Sequence, residues 1–560
     1  MVINDTSINP VPGGVPTSHR DTFARDLLPS TELQPTFDFS NIPELRSYGN
    51  YQNAATELLD NMVSSGFGDR PVIHYEKKSW TYSELLNLSN RIARVLVEDC
   101  GLVTGNRVLL RAVNTPMLVA CWFAVLKAGG ICVTTMPLLR ARELSYLIDR
   151  AGVTIALCEV ELAGDLEEAG AGTPELKHIL KFTTMAEGGS RATLEIAMES
   201  KSSTFTNVNT AADDIALIGF TSGTTGNPKG TVHYHRDLVA ITDCFPRYIG
   251  QIKPDDVITG TPPLAFTFGL GGVTLFPMRF GASTRFFPAS GPEALFETID
   301  KYHVTQTYTA PTAFRAMINL MDKYDLSSLR QGISAGETLP KSTWEAFYEA
   351  TGIKLIDGLG STEMLHIFVS ASPENMRPGF TGKAIPGYHA RVTDNDGNDV
   401  PPDTPGFLAV KGPTGCRYMD DPRQTNYVKD GWNYPGDVYQ MDEQGYLQYV
   451  ARADDMIISS GYNISGPEVE NVLLEHNSVA ECAVVGSPDP DRTNIVKAFI
   501  VLRDGQEAAE SLAQKLQDFV KSEIAPYKYP RAIEFVDELP KTATGKLQRF
   551  KLRQEEQEKS

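Results

Sequence analysis

The chain has 560 residues, too many for one hydrophobic core, and its 41% apolar and 22% charged side chains are ordinary for a globular enzyme. A formal charge of −19 excludes a protein that holds nucleic acid or an anionic membrane by bulk attraction, so a polyanion such as ATP would need local donors and a metal ion. The longest apolar run, Met117 to Leu126, is about half of what a membrane-spanning helix requires. Met1 to Pro12 lacks the basic-then-apolar layout of a signal peptide and Glu558-Lys559-Ser560 is no peroxisomal address, so a soluble cytoplasmic protein is expected. Seven scattered cysteines, Cys100, Cys121, Cys132, Cys158, Cys244, Cys416 and Cys482, are read as reduced core residues rather than a disulfide frame or metal site.

Residues 1 to about 50 are Pro-rich and are expected to wrap the surface. Strand and helix patterns then alternate as in an α/β fold. Val108 to Val113 predicts a strand, Met117 to Lys127 a helix stopped by Gly129-Gly130, and Ile131 to Thr135 a strand; Glu143 to Arg150 is a helix and Val153 to Cys158 a strand. Further on come strands at Val257 to Gly260, Ser283 to Phe287 and Gln306 to Thr309, with a helix at Pro292 to Tyr302 and Pro311 suited to opening another. Two layered sheets built on parallel strands are expected. From His389 to Val450 short strands broken by Asp396-Gly397-Asn398 and Gln444-Gly445 predict a small β unit. Beyond Asp454, helices Pro467 to Glu475 and Ser511 to Ser522 and strands Ala480 to Val485 and Val496 to Leu502 predict a separate α+β domain. The expected architecture is therefore a large N-terminal domain, residues 1–453, of layered mixed sheets with helices plus a small β unit, and a small mobile C-terminal lid, residues 454–560.

The most informative stretch is Leu217 to Gly230. An apolar strand empties into Thr221-Ser222-Gly223-Thr224-Thr225-Gly226-Asn227-Pro228-Lys229-Gly230. Glycines let backbone N–H groups approach an anion, the hydroxyls add donors, and Lys229 adds charge, so the loop reads as a phosphate cradle. It is not the P-loop pattern, in which the Lys follows Gly and precedes Ser or Thr. A flexible surface loop is the competing reading.

Three further features follow. After a strand at Lys354 to Ile356 comes Asp357-Gly358-Leu359-Gly360-Ser361-Thr362-Glu363, where a carboxylate behind a Gly-rich turn suits Mg²⁺ held by one carboxylate and substrate phosphates; an acid at a helix N-terminus is the alternative. In Trp432 to Asp437 and Arg452-Ala453-Asp454-Asp455, a carboxylate can accept both ribose hydroxyls and an Arg can bridge ribose and phosphate. Last, Lys546 sits in Leu539-Pro540-Lys541-Thr542-Ala543-Thr544-Gly545-Lys546, a loop that would otherwise carry a solvated charge.

Together these motifs resemble, in order and over nearly the whole chain, the adenylate-forming superfamily of acyl-CoA synthetases, adenylation domains and luciferases. The resemblance implies Lys546, Glu363 and Thr225 as catalytic residues, with Glu363 the Mg²⁺ ligand. Nucleotide contacts are implied for Thr221, Ser222, Gly223, Thr224, Thr225 and Lys229, and for Ser334, Ala335, Gly336 and Glu337. They are also implied for Asp357, Gly358, Leu359, Gly360, Ser361 and Thr362, for Asp437 and Arg452, and, in the pantetheine channel, Gly461. Leu359 departs from the family, which usually has an aromatic residue there to stack on adenine. The implied mechanism is acyl-adenylate formation, rotation of the C-terminal domain about the hinge Asp454, and displacement of AMP by a thiol, with ATP, Mg²⁺ and CoA required.

Acyl specificity is expected beside the nucleotide, at Phe266, Thr267, Phe268, Gly269, His366 and Ile367. These segments look most like the benzoate and 2-aminobenzoate CoA ligases. The rings of Phe266 and Phe268 suit an aromatic acid, and Thr267 and His366 a ring amino or hydroxyl group; core packing is the competing account of all four. Alternatives are a medium-chain fatty acyl-CoA ligase, an adenylating enzyme that loads a separate carrier protein, and a silent binding relative. Free CoA is the expected thiol because no carrier region is recognised. Neither nucleic acid nor membrane is expected as a partner, and the oligomeric state stays open between monomer and homodimer.

Overall fold

The computed structural model describes residues 11–184, 191–221, 228–287, 291–459, 462–489, 492–541 and 547–559. They form two compact units. The first comprises residues 1–339, 343–390 and 410–433, and the second residues 340–342, 391–409 and 434–560.

In the first unit the strand-helix alternation builds two mixed sheets. The larger runs in the order Lys383–Ala384, Ile367–Ser370, Leu355–Gly360, Gln331–Ala335, Gln306–Thr309, Val257–Gly260, Ser283–Phe286, Pro71–Tyr75 and Lys78–Thr81. Its middle is parallel, with Ser334 in register with Asp357 and with Thr309, while both edges close with antiparallel strands. The second sheet runs His178–Phe182, Val153–Glu159, Arg107–Arg111, Ile131–Thr135, Ile215–Thr221 and Lys229–Tyr234, parallel except for its last pair. The helix Pro116–Lys127 is buried on every side, which explains why its sequence is apolar from Pro116 to Leu126 instead of amphipathic; the terminal Lys127 pairs with Asp60 at 2.6 Å. The Pro-rich N-terminal segment does more than wrap. Phe39, Ile42 and Leu45 are buried, and Arg25 pairs with the fully buried Asp214 at 2.9 Å.

The cradle strand and its partner form an antiparallel hairpin in which Thr221 opposes Lys229. A strand, not a helix, therefore follows the loop, so the loop does not open directly onto a helix N-terminus. A later segment is added to this hairpin. Val232 donates to the Arg417 carbonyl at 2.8 Å, Met419 donates to that of Gly230 at 2.9 Å, and Thr231 and Tyr418 form an antiparallel bridge between them.

The anchor of that addition is a buried ion pair. The guanidinium of Arg417 donates to Asp237 at 2.7 Å, both side chains being wholly inaccessible, and it lies over the rings of Phe37 at 4.2 Å and Tyr234 at 3.9 Å. Asp237 also accepts from the Tyr234 N–H at 3.0 Å, at the start of the helix His235–Tyr248. Burial alone would raise this carboxyl, but Arg417, with His233 and Arg236, more than offsets it and holds the group well below the usual carboxylate range.

In the second unit, Gly406 and Phe407 pair with Tyr439 and Val438, and Asp437–Met441 pairs with Leu447–Arg452. Val479–Asp489 and Thr493–Leu502 form a hairpin longer than its sequence suggests, because the register continues through Gly486-Ser487-Pro488, which reads locally as a turn. Val469, Leu473, Val484, Ile500, Leu516 and Val520 share its core. The cysteines are free, as read from the sequence, and all but Cys100 are buried. Among the described residues no helix is long and apolar enough to cross a membrane.

Asp237→Ala strips the counter-ion from a buried guanidinium and is expected to cost about 3–5 kcal/mol in chemical denaturation. The double change Asp237→Leu with Arg417→Met should cost less, because the Arg417 charge leaves with its partner and only Arg236, 3.8 Å from Asp237, loses a counter-ion; equal losses in the two variants would contradict this account.

Candidate active site

The turn after Leu355–Gly360 carries Ser361, Thr362 and Glu363. Met364 donates to the Ser361 hydroxyl at 3.2 Å, and the Thr362 carbonyl is 2.7 Å from Nε2 of His233. Leu365, at φ 70°, holds a left-handed conformation rare for a branched side chain and turns the chain into the antiparallel strand Ile367–Ser370. That turn lets Gly358 receive Ile367, whose side chain lies where a Cβ would be, within 2.5 Å.

Glu363 is 8% exposed and is met by two groups from elsewhere in the chain. The Tyr418 hydroxyl donates to its Oε1 at 2.6 Å, and Lys229 Nζ lies 3.5 Å from the same oxygen. Lys229 also donates to the Tyr418 hydroxyl at 2.7 Å. Burial, and then the neighbouring carboxylate, keep the Tyr418 hydroxyl far above the ordinary tyrosine range, so it stays protonated. Among the described residues no group of three or more His, Cys, Asp or Glu side chains is placed to hold a metal ion.

Seven hydroxyls are buried without a hydrogen-bond partner among the described residues, those of Thr154, Thr221, Thr231, Thr274, Thr307, Tyr308 and Ser334; of these, Thr221 stands where the cradle begins and Ser334 on the neighbouring sheet. Unpaired buried donors of this kind are costly and fit a polar ligand. Asp357, in register with Ser334, accepts from the Gly358 N–H and the Thr381 hydroxyl, yet burial pushes its carboxyl up to about 8. Ala335 is buried, Gly336 turns the chain with φ 91°, and Glu337 is half-buried; Leu359 is half-buried and Gly360 exposed.

The expected acid-binding residues fall partly together. Thr267, Phe268 and Gly269 form the short helix Thr267–Leu270, preceded by half-buried Phe266, and the Gly269 position is closed to any side chain because the Pro263 carbonyl lies 2.2 Å from where its Cβ would be. His366 is enclosed by Phe276 at 4.3 Å, Phe268 at 5.8 Å and Phe245 at 6.0 Å between ring centroids, and Tyr308 stands edge-on to Phe268 at 5.9 Å. Its Nε2 is 3.4 Å from the Phe268 carbonyl, while Nδ1 is buried without a partner among the described residues. With Nε2 donating, Nδ1 is an open acceptor. Burial lowers the pKa of this imidazole to about 3, so it is neutral at physiological pH. An apolar cavity lined by Leu118, Trp122, Leu264, Leu270 and Thr274 adjoins the same segment.

In the second unit Asp437 and Arg452 face each other in register and pair at 2.9 Å. Asp454 lies in the turn Ala453–Asp455. Ser222, Gly223, Thr224, Thr225, Gly461 and Lys546 lie outside the described residues. Sequence reasoning missed Tyr418, which is separated from Glu363 by 55 positions, and the aromatic wall of Phe245, Phe276 and Tyr308. No local pattern marks them, although Arg417, a charged residue inside an otherwise uncharged stretch from Gly412 to Met419, is a signal of a buried ion pair that could have drawn attention there.

The AMP-binding enzyme family model matches residues 62–417, and the AMP-binding enzyme C-terminal domain matches residues 468–546. The chain belongs to the AMP-binding enzyme family. Among its relatives in that family, the benzoate–CoA ligase of Thauera aromatica is 35% identical over 522 residues, which cover 92% of this chain and 98% of the relative. The crystal structure of the anthranilate CoA ligase AuaEII in complex with anthranoyl-AMP has a TM-score of 0.85 at 33% identity, covering 91% of this chain and 98% of that one. A benzoate CoA ligase from Burkholderia xenovorans LB400 has a TM-score of 0.80 at 31% identity, covering 90% and 99%. As an AMP-binding enzyme, the chain thus shares with these ligases the α/β fold of a large N-terminal and a small C-terminal domain.

A histidine with a folded pKa near 3 and an unfolded value near 6.5 withholds a proton that the unfolded chain accepts. The stability it allows is complete above pH 6.5 and is lost as pH falls toward 3. His366→Phe is expected to remove about 1–2 kcal/mol of the loss between pH 6.5 and 5. Unfolding free energies measured for both proteins over that range check it, and parallel curves would contradict it.

Proposed function

We propose that the protein is an ATP-dependent acid–thiol ligase that activates an aromatic carboxylic acid, benzoate or a ring-substituted benzoate such as 2-aminobenzoate, and transfers it to CoA. In the first half-reaction a carboxylate oxygen of the acid attacks the α-phosphorus of ATP, and pyrophosphate leaves. In the second, the CoA thiolate attacks the carbonyl carbon, and AMP leaves.

The observation that carries the aromatic reading is His366, a neutral imidazole walled by Phe245, Phe268 and Phe276 with its Nδ1 left as an acceptor. Flat apolar walls with one acceptor suit a benzene ring bearing an N–H or O–H donor better than an alkyl chain, which would leave Nδ1 unpaired. Relatives named as benzoate and anthranilate ligases support the same substrate class.

For the nucleotide, the Thr221 and Ser334 hydroxyls, unpaired among the described residues, and the charge of Lys229 fit a phosphate-bearing ligand. Glu363 fits Mg²⁺, which when bound would neutralise charge on the phosphates. We assign Thr225 and the rest of the 221–229 loop to the phosphates, and Ser334 to Glu337 with Asp357 to Thr362 to the adenine surroundings. Asp437 is assigned to the ribose and Arg452 to ribose and phosphate. Lys546 is assigned to the oxygens that gain charge in the adenylation transition state, Asp454 to the hinge of a mobile 454–560 lid, and Gly461 to the pantetheine channel. A unit charge about 4 Å away at an effective dielectric near 20 is worth roughly 4 kcal/mol, or about three powers of ten in rate.

Two outcomes are expected. In a screen of benzoate, 2-aminobenzoate, hydroxybenzoates and medium-chain fatty acids with ATP and CoA, an aromatic acid gives the highest kcat/KM, and His366→Phe narrows the preference for a ring N–H or O–H over unsubstituted benzoate by about tenfold. A fatty acid in first place would contradict the aromatic reading. Lys546→Ala should lower pyrophosphate release by about a hundred- to ten-thousand-fold while sparing CoA attack on preformed acyl-adenylate; equal loss in both steps would contradict its role.

A further inference from the structure

We propose that Tyr418 is a positioning residue for the metal-binding carboxylate: its hydroxyl fixes one oxygen of Glu363 and leaves the other to face the cation that accompanies ATP. The inference rests on the reading of Glu363 as the metal ligand and adds a residue to which no role has yet been given.

The direction of the hydroxyl proton follows from the inventory of donors. Lys229 Nζ is 2.7 Å from the Tyr418 hydroxyl, and an ammonium can only donate. The tyrosine oxygen therefore accepts there, and its own proton points to Glu363 Oε1 at 2.6 Å. Oε1 thus takes a hydrogen bond from a group that cannot wander. The Tyr418 backbone N–H donates to Gln424 Oε1 at 2.8 Å, its residue bridges Thr231, its ring stands edge-on to Tyr427 at 5.8 Å, and the preceding residue is the buried Arg417. A carboxylate that is to hold a metal gains from such outside support, because it limits the rotation of the side chain. Partners behind metal ligands typically contribute ten- to a hundredfold in metal affinity. Lys229, 3.5 Å from the same oxygen, occupies part of the negative field that the cation would take, and it is held by the same Tyr418 hydroxyl.

The test uses the full chain with Mn²⁺ and α,β-methylene-ATP, an analogue that cannot be cleaved at the α-phosphorus, and reads bound Mn²⁺ by electron paramagnetic resonance. Tyr418→Phe keeps the ring and removes the hydroxyl. It is expected to weaken Mn²⁺ binding by about tenfold, to lower adenylation in a way that raised Mg²⁺ restores, and to leave CoA attack on preformed acyl-adenylate unchanged. Mn²⁺ affinity within twofold of wild type, or equal loss in both half-reactions, overturns the proposal. Should the variant not fold, a crystal structure of the wild type with Mn²⁺ and the same analogue decides. A Tyr418 hydroxyl still bonded to Glu363 supports the role, and one turned away refutes it. Wild type that binds no Mn²⁺ with the analogue would instead refute the nucleotide reading itself.

Discussion

A guanidinium sealed against a carboxylate, Arg417 against Asp237, fixes where the residues after position 410 lie on the first unit. Neither charge is exposed, so separating them would leave an uncompensated charge in a medium where that is expensive. The pair therefore locks a segment remote in sequence along the strand Lys229–Tyr234, and the next residue, Tyr418, arrives between Lys229 and Glu363. The hairpin, the carboxylate turn and this segment become one polar constellation through a contact that touches no ligand. Its energetic character differs from that of the surrounding sheets, whose parallel strands are held by apolar burial and tolerate variation as long as volume is kept.

Three residues after Glu363 the environment inverts. His366 lies among phenylalanines, burial keeps it uncharged, and one of its nitrogens has no partner among the described residues. A carboxylate supported by cation and hydroxyl, and a neutral imidazole in an aromatic box, are separated by the left-handed Leu365. On the function proposed above, that short reversal would let one strand end serve two kinds of chemistry: phosphate and metal on one side of the turn, an aromatic ring on the other. The strain at Leu365 is of order 1–3 kcal/mol and is affordable only because Met364 and Leu365 are both fully buried and hydrogen-bonded into the turn.

Much of this was legible in the sequence. The periodicity places the strands around Arg107–Arg111, Ile131–Thr135, Val153–Glu159 and Gln306–Thr309, because buried parallel strands need near-continuous apolar runs. The small-residue loop beginning at Thr221 and the Gly-rich turn before Glu363 announce themselves, since unusual backbone demands leave unusual composition. Tyr418 does not, because a tyrosine whose value lies in a hydrogen bond to a residue 55 positions away has no local signature. For the same reason the aromatic wall of Phe245, Phe276 and Tyr308, drawn from three separate elements, reads as ordinary core in one dimension. The hairpin through Pro488 shows the opposite error: turn-forming residues were carried into a strand because the pairing of Gly486 with Val496 onward outweighed their local preference. The N-terminal segment looked like a surface wrap because proline masks the spacing of Phe39, Ile42 and Leu45, which are in fact buried.

The central claim is that the Thr221 hydroxyl and Glu363 mark the nucleotide's phosphate end while His366 and Phe268 face the ring of an aromatic acid. A crystal structure with a non-hydrolysable benzoyl-adenylate analogue tests it most directly. The account predicts the ring against His366 and Phe268 and the group replacing the α-phosphate within hydrogen-bonding distance of the Thr221 hydroxyl; an analogue bound away from both would contradict it.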